Sequence, residues 1–344
     1  MRAHEHSVHL VGVNGQPWSE IARRRRSGVL ACVCALLTFG AAAAGPLASI
    51  NRDGAYAVAT TKISVVEPTV GSGSLSRVLP TLVWYPVGRG GHTVAPDRAH
   101  APYPLLVFST GYDIFVHAYQ DLLSEWASAG FVVAAPTYPH NDPSDPAEVD
   151  ENDIVNHPGD LRSVITTLLA AAHHRSSVLW GLIDPNEIGL VGHSDGAEVT
   201  LAVADNSCCR DPRVKAAAVF SGAELASFGG SYFGGTPVPL LVVQGSADTV
   251  NPPACSVQLY DAALKPRYFL DLLGAGHEPP FAGPNVAPVQ RELVARVTTD
   301  FFDAELAGER GGFGAMSLDG DIPGVAWVTP GAAAPPAPGN CPGA

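Results

Sequence analysis

The chain has 344 residues, a formal charge of −13 at pH 7, 46% hydrophobic residues and only 15% charged ones. That much apolar material can fill one large core, and the length suits a single α/β domain with extra residues at its ends. So acidic a chain excludes nucleic acid and anionic membrane surfaces as natural partners.

The N-terminus reads as a targeting segment. Four arginines, Arg23 to Arg26, precede an apolar run over residues 29–37, and Ala42-Ala43-Ala44 offers a cleavage site before Gly45. Residues 1–44 are therefore expected to be a signal peptide, with an uncleaved membrane anchor as the alternative, since the run is short for a spanning helix. The polar lead over residues 1–21 is compatible with twin-arginine export or with a start codon placed too early. Its removal takes five arginines against two glutamates and leaves the remainder more acidic still.

Beyond it, strands and helices alternate. Residues 63–66 and 80–86 suit an antiparallel hairpin, and 105–108, 131–135, 188–191, 216–220, 240–243 and 268–272 read as mostly parallel strands. Residues 118–129, 160–172, 198–204, 256–263 and 288–307 read as the helices between them. Strand, crossover and strand at this spacing predict a doubly wound, mostly parallel sheet of about eight strands flanked by helices. No inserted cap domain is apparent. The catalytic domain is expected over residues 45–307, and the Gly/Pro/Ala-rich tail over 308–344 to be loosely packed.

The most informative stretch is Gly192-His193-Ser194-Asp195-Gly196. It is a G-x-S-x-G elbow between an apolar strand and a helix, the turn that lifts a serine hydroxyl clear of a sheet. A carboxylate, Asp248, follows the strand at 240–243, and an imidazole, His277, follows the strand at 268–272. Serine is a weak nucleophile near neutral pH and needs a base to take its proton, and the base needs a carboxylate to hold its tautomer. Ser194, Asp248 and His277 are thus the expected catalytic residues. The amides of Asp195 and of Tyr112, in the loop after the strand at 105–108, are the expected oxyanion donors. The Tyr112 ring either lines an acyl pocket or packs in its loop.

Other polar clusters have plainer readings. His140, Asn141, Asp142 and Asp145 follow the strand at 131–135 and either rim the pocket or, lying among prolines, form a turn-rich loop, and Asp150, Glu151, Asp153 and His157 match no metal-ligand spacing. His193 is expected to pack beneath the serine. No metal and no cofactor is expected.

Residues 104–111, 122–129 and 130–136, together with the elbow, resemble the secreted serine-esterase branch of the α/β-hydrolase superfamily. That group includes platelet-activating-factor acetylhydrolases, chlorophyllases, dienelactone-hydrolase-like proteins and cutinase-like polyester hydrolases. The resemblance spans residues 60–307 and implies an α/β-hydrolase fold and cleavage of carboxylic esters through an acyl-enzyme. The chain departs from the pattern at Thr110, where many relatives carry histidine or proline, and at Asp195, where polyester hydrolases usually carry methionine. Dienelactone hydrolases proper use a cysteine nucleophile. An acyltransferase with the same triad, a lipase or polyester hydrolase, and a non-catalytic binding protein on the same fold are the alternatives. The expected substrate is a small-molecule or lipid ester, and the expected protein a secreted monomer without membrane insertion once the signal is cleaved.

Past the signal, Cys208, Cys209, Cys255 and Cys341 remain, an even number suited to an oxidising compartment. A bond between the neighbours Cys208 and Cys209 is expected to be strained, leaving two pairings in which Cys255 joins one of them and Cys341 the other.

Overall fold

Tyr103–Ser109 is buried along nearly its whole length, with Leu105 and Val107 facing one apolar layer and Leu106 and Phe108 the other. Side chains alternate across a strand, so a segment apolar at every position must be covered on both faces. This strand, β3, is central to a nine-stranded sheet. The computed structural model describes residues 56–67, 76–88, 95–145, 148–283, 287–308, 312–330 and 341. The expected signal segment lies outside them.

The other strands are β1 (Ala57–Glu67), β2 (Arg77–Val87), β4 (Val132–Pro136), β5 (Ile183–His193), β6 (Val214–Phe220), β7 (Leu240–Gly245), β8 (Arg267–Leu272) and β9 (Ala326–Pro330). Their order is β1-β2-β4-β3-β5-β6-β7-β8-β9. The strands from β4 to β8 run parallel, while β1 and β2 at one edge and β9 at the other are antiparallel to their neighbours. The helices are α1 (Gln120–Ala129), α2 (His157–His173), α3 (Asp195–Asp205), α4 (Pro253–Ala262), α5 (Pro288–Glu305) and α6 (Gly312–Gly320). One apolar layer holds Leu161 and Val164 of α2, Leu201 of α3 and Leu259 of α4. The other holds Trp126 of α1, Phe301 and Phe302 of α5 and Met316 of α6. Trp126 is fully buried, and its indole N–H donates to Thr298 Oγ1 at 2.8 Å, which joins α1 to α5.

The doubly wound α/β-hydrolase architecture is as expected, with one strand more than the sequence pattern indicates. The difference lies in the tail. Residues 312–330 supply α6 and β9, and β9 pairs antiparallel with β8. Val328 and Met316 are buried against the core, so this stretch closes the sheet edge instead of lying loosely outside it. Its composition hides this: a five-residue strand and a helix with three glycines carry little periodic signal.

The cysteine pairing is also a correction. Cys208 is bonded to Cys209, and Cys255 to Cys341. The sheet explains it. Helix α3 starts at the carboxyl ends of the strands and, over 11 residues, runs back across the sheet to deliver Cys208 and Cys209 to the opposite edge. Cys255 sits at the start of α4, back at the carboxyl edge, buried with Ala223 and Cys341. The length of the strands separates Cys255 from the vicinal pair, so the pairing expected for it cannot form.

Strand order reverses between β3 and β5, because β4 lies on one side of β3 and β5 on the other. At such a point two successive loops leave in opposite directions and open a crevice at the carboxyl ends of the strands. The longest connections there, residues 137–156 and 221–239, contain single 3-10 turns at Glu151–Asn156 and Ala226–Phe228 among the described residues.

Candidate active site

Ser194 caps the N-terminus of α3 in a strained backbone conformation, φ 55° and ψ −127°, and its amide continues the β5–β6 ladder by donating to Phe220 O at 3.0 Å. A non-glycine residue there is costly and persists only where its surroundings over-determine it. The flanking glycines do that. A methyl on Gly192 would lie 2.0 Å from Gly196 O, and one on Gly196 2.1 Å from Ser109 O, so neither position tolerates a side chain. The turn thus packs backbone on backbone against the end of β3. Ser194 is 8% exposed, and its hydroxyl forms no hydrogen bond among the described residues.

Asp248 and His277 come together from the loops after β7 and β8. His277 Nδ1 donates to Asp248 Oδ2 at 2.8 Å, which leaves Nε2 with its lone pair. Asp248 also accepts from the Val250 and Asn251 amides at 2.9 and 3.0 Å and from Gln244 Nε2 at 3.3 Å. Burial alone would raise its pKa, but the His277 hydrogen bond and charge and the Val250 amide outweigh it, and the carboxyl is held below the usual range. The two loops touch through Gly245, where a methyl would lie 2.6 Å from Ala275 O.

His193 joins these loops to Ser194. It is fully buried, with the Phe281 ring at 5.0 Å and the His277 ring at 4.7 Å. Its Nε2 donates to His277 O at 3.0 Å, so Nδ1 must accept, and it does so from the Tyr119 hydroxyl at 2.8 Å. The Tyr119 oxygen accepts in turn from the Gly111 amide at 3.2 Å. Burial first, then the neighbouring His277, pushes the His193 pKa down to about 3, so the imidazole stays neutral. It is a packing residue beneath the serine, and also the middle of a hydrogen-bonded chain from the loop after β3 to the loop after β8.

The loop after β3 lies directly against Ser194. A methyl on Gly111 would sit 3.2 Å from Ser194 Cβ and 3.3 Å from His193 Nδ1. Neither the Tyr112 amide nor the Asp195 amide donates to another residue among those described. Asp195 opens α3, where the first amides of a helix have no acceptor within it and carry its positive pole.

Acidic groups surround the start of α3. Burial, then the charge of Glu151, raises Asp195 to about 6. Burial, then Asp195 and Glu151, raises Glu198 to about 8.

Three polar residues given plain readings turn out to be held in place. Asn141 is 5% exposed and grips the loop after β3. Asp153 is bound by Arg77 at 2.6 Å, and His157 is buried with its ring stacked on Tyr138 at 4.3 Å. Nothing in the turn-rich composition around Asn141 distinguishes it from a solvated asparagine. No group of three or more His, Cys, Asp or Glu side chains could hold a metal ion among the described residues. A recess of about 380 Å³ lined by Arg210, Val214 and Lys215 lies at the start of β6, at the far end of that strand from Ser194.

The chlorophyllase family model matches residues 76–221, from β2 through the loop after β3 and the elbow to the end of β6. The serine hydrolase (FSH1) family model matches residues 184–288, which contain Ser194, Asp248 and His277. The chain is a serine hydrolase of the α/β-hydrolase superfamily. No curated protein matches this hydrolase. The two matches overlap on the elbow, and together they span the strands that carry every element of the site.

Proposed function

We propose that this hydrolase is an exported esterase that cleaves carboxylic esters through an acyl-enzyme. Ser194 Oγ attacks the ester carbon, His277 Nε2 takes its proton and returns it to the leaving alcohol, and Asp248 holds the imidazole and stabilises the imidazolium. The Tyr112 and Asp195 amides receive the oxyanion. Water, activated by the same imidazole, then releases the acid. The hydroxyl engages Nε2 as substrate binds, since such bonds are commonly loose in empty sites. The observation that supports the reading is a strained serine at the carboxyl ends of the strands, with His193 beside it donating to the backbone of an imidazole residue whose ring is bonded to a buried carboxylate.

Short to medium acyl chains suit the site, because the connections above it carry no large apolar insertion among the described residues. Two disulfides favour an oxidising compartment, and no described helix is long and apolar enough to cross a membrane. A p-nitrophenyl ester series from acetyl to palmitoyl, run beside Ser194→Ala, tests the proposal. Turnover should peak at the short end and vanish in the variant, and a fluorophosphonate should label Ser194 alone. A best rate on palmitate would refute the chain-length reading, and turnover by Ser194→Ala would refute the mechanism.

A further inference from the structure

Gly111 is fastened on both sides of its backbone. Its amide donates to Tyr119, and its carbonyl accepts from Asn141 Nδ2 at 3.1 Å. The same asparagine accepts from the Asp113 amide through Oδ1 at 2.7 Å, so one side-chain amide spans the 111–113 turn as donor and acceptor. Asp113 has φ 52°, a left-handed conformation that is uncommon away from glycine and that this bond helps to hold. Asn141 is buried between Tyr138 and the loop, 30 residues on from Gly111 and on the connection after β4.

The peptide between Gly111 and Tyr112 is planar and trans, so its C=O and N–H point in opposite directions. Asn141 holds the C=O. The Tyr112 N–H is therefore turned away from Asn141, and it meets no acceptor among the described residues. The Gly111 Cα packs against Ser194 at the same time.

We infer that Asn141 is a positioning residue for the oxyanion hole: by holding the Gly111 carbonyl and the Asp113 amide, it aims the Tyr112 N–H at the oxygen of the substrate carbonyl. This rests on the esterase reading proposed above. Asn141 touches neither substrate nor reacting atoms. Its effect belongs to the transition state, because the donor is worth most where charge develops.

The test compares wild type with Asn141→Asp and Asn141→Ala. The aspartate keeps the volume and the acceptor but has no N–H for the Gly111 carbonyl, whereas the alanine removes both bonds. Rates on a short-chain p-nitrophenyl ester are normalised to Ser194 titrated with a fluorophosphonate, and thermal melts record folding. A short-chain alkyl trifluoromethyl ketone supplies the second readout: Ser194 Oγ adds to its carbonyl carbon, the carbonyl oxygen becomes an oxyanion, and the hydroxyl proton passes to His277. Both variants should lose kcat by about 10- to 100-fold, less than or equal to the loss of a whole oxyanion donor. KM should move little, and the ketone should bind more weakly by the factor lost in kcat/KM. A purely structural role would lower the melting temperature and leave kcat per titrated site and ketone affinity unchanged; that result, in the aspartate variant alone if the alanine does not fold, overturns the inference. A wild type that neither turns over esters nor reacts at Ser194 would remove the esterase reading and this inference together, whereas an active wild type with unaffected variants removes only the role of Asn141.

Discussion

The two sides of Ser194 are built from different materials. On one, Asp248 and His277 form a charged, buried pair whose geometry is set by four donors on a single carboxylate. On the other, the loop over residues 110–113 presents only an amide, and neutral side chains from three other segments hold it: Tyr119, Asn141 and, through Tyr119, His193. A catalytic charge is recognisable by residue type. A catalytic amide is not, because nearly every residue has one, and its direction depends on groups remote in the chain.

The largest effects should come from the charged side. His277→Ala should lower kcat by about 10⁴- to 10⁶-fold with the melt little changed, since the base is lost outright. Asp248→Asn should cost about 10⁴-fold, because an amide at that position favours the wrong imidazole tautomer. Steady-state kinetics on a p-nitrophenyl ester measures both, and an Asp248→Asn enzyme near wild-type rate would show that the two sides are not so different after all.

The neutral side should respond more mildly. Tyr119→Phe removes one hydroxyl that serves the Gly111 amide and His193 Nδ1 together, leaving a buried donor and a buried acceptor without partners. A stability loss of about 1–3 kcal/mol follows by denaturant titration. With it we expect a fall of about tenfold in kcat, small beside the loss of a whole donor. A variant as stable as wild type would mean that these two hydrogen bonds do not hold the neutral side in place.

The smallest effect concerns helix α3, which lies between the two sides. Glu198 and Asp195 have raised pKa values in the fold, about 8 and about 6, so the folded state holds their protons more tightly than the unfolded chain does. Their contribution is complete below the unfolded carboxylate range and is lost as pH rises through those values. Between pH 5 and pH 9 the melting temperature should therefore fall, and Glu198→Gln should flatten the upper part of that fall by a few degrees. Melts in matched buffers decide it. A Glu198→Gln protein with the wild-type slope would assign the pH dependence to other groups.

How much of this was legible in the chain follows the same division. Ser194, Asp248 and His277 stood out because each is a reactive type placed after an apolar strand, in an order that makes chemical sense, and their spacing needs no tertiary knowledge. The strands are legible for a related reason: segments such as residues 104–109 are apolar at every position, which only a sheet covered on both faces can satisfy. Asn141 is marked only by its place after a strand, as one of four polar residues that could rim the pocket. It reads as one more polar residue among prolines until the connection after β4 folds it under the loop after β3. The stretch 312–330 was masked by its glycines, and what makes it a helix and an edge strand is the open flank of β8.

The sequence by itself determined the alternating core, the elbow with its two obligatory glycines, and the reactive side chains, because periodicity and steric permission are local properties of a chain. Tertiary structure alone decided the partners: which cysteines bond, what closes the last sheet edge, and which asparagine holds the loop beside Ser194. Those depend on which end of a parallel sheet each loop reaches, and the length of a strand or helix is enough to put chemically equivalent residues on opposite sides of the molecule.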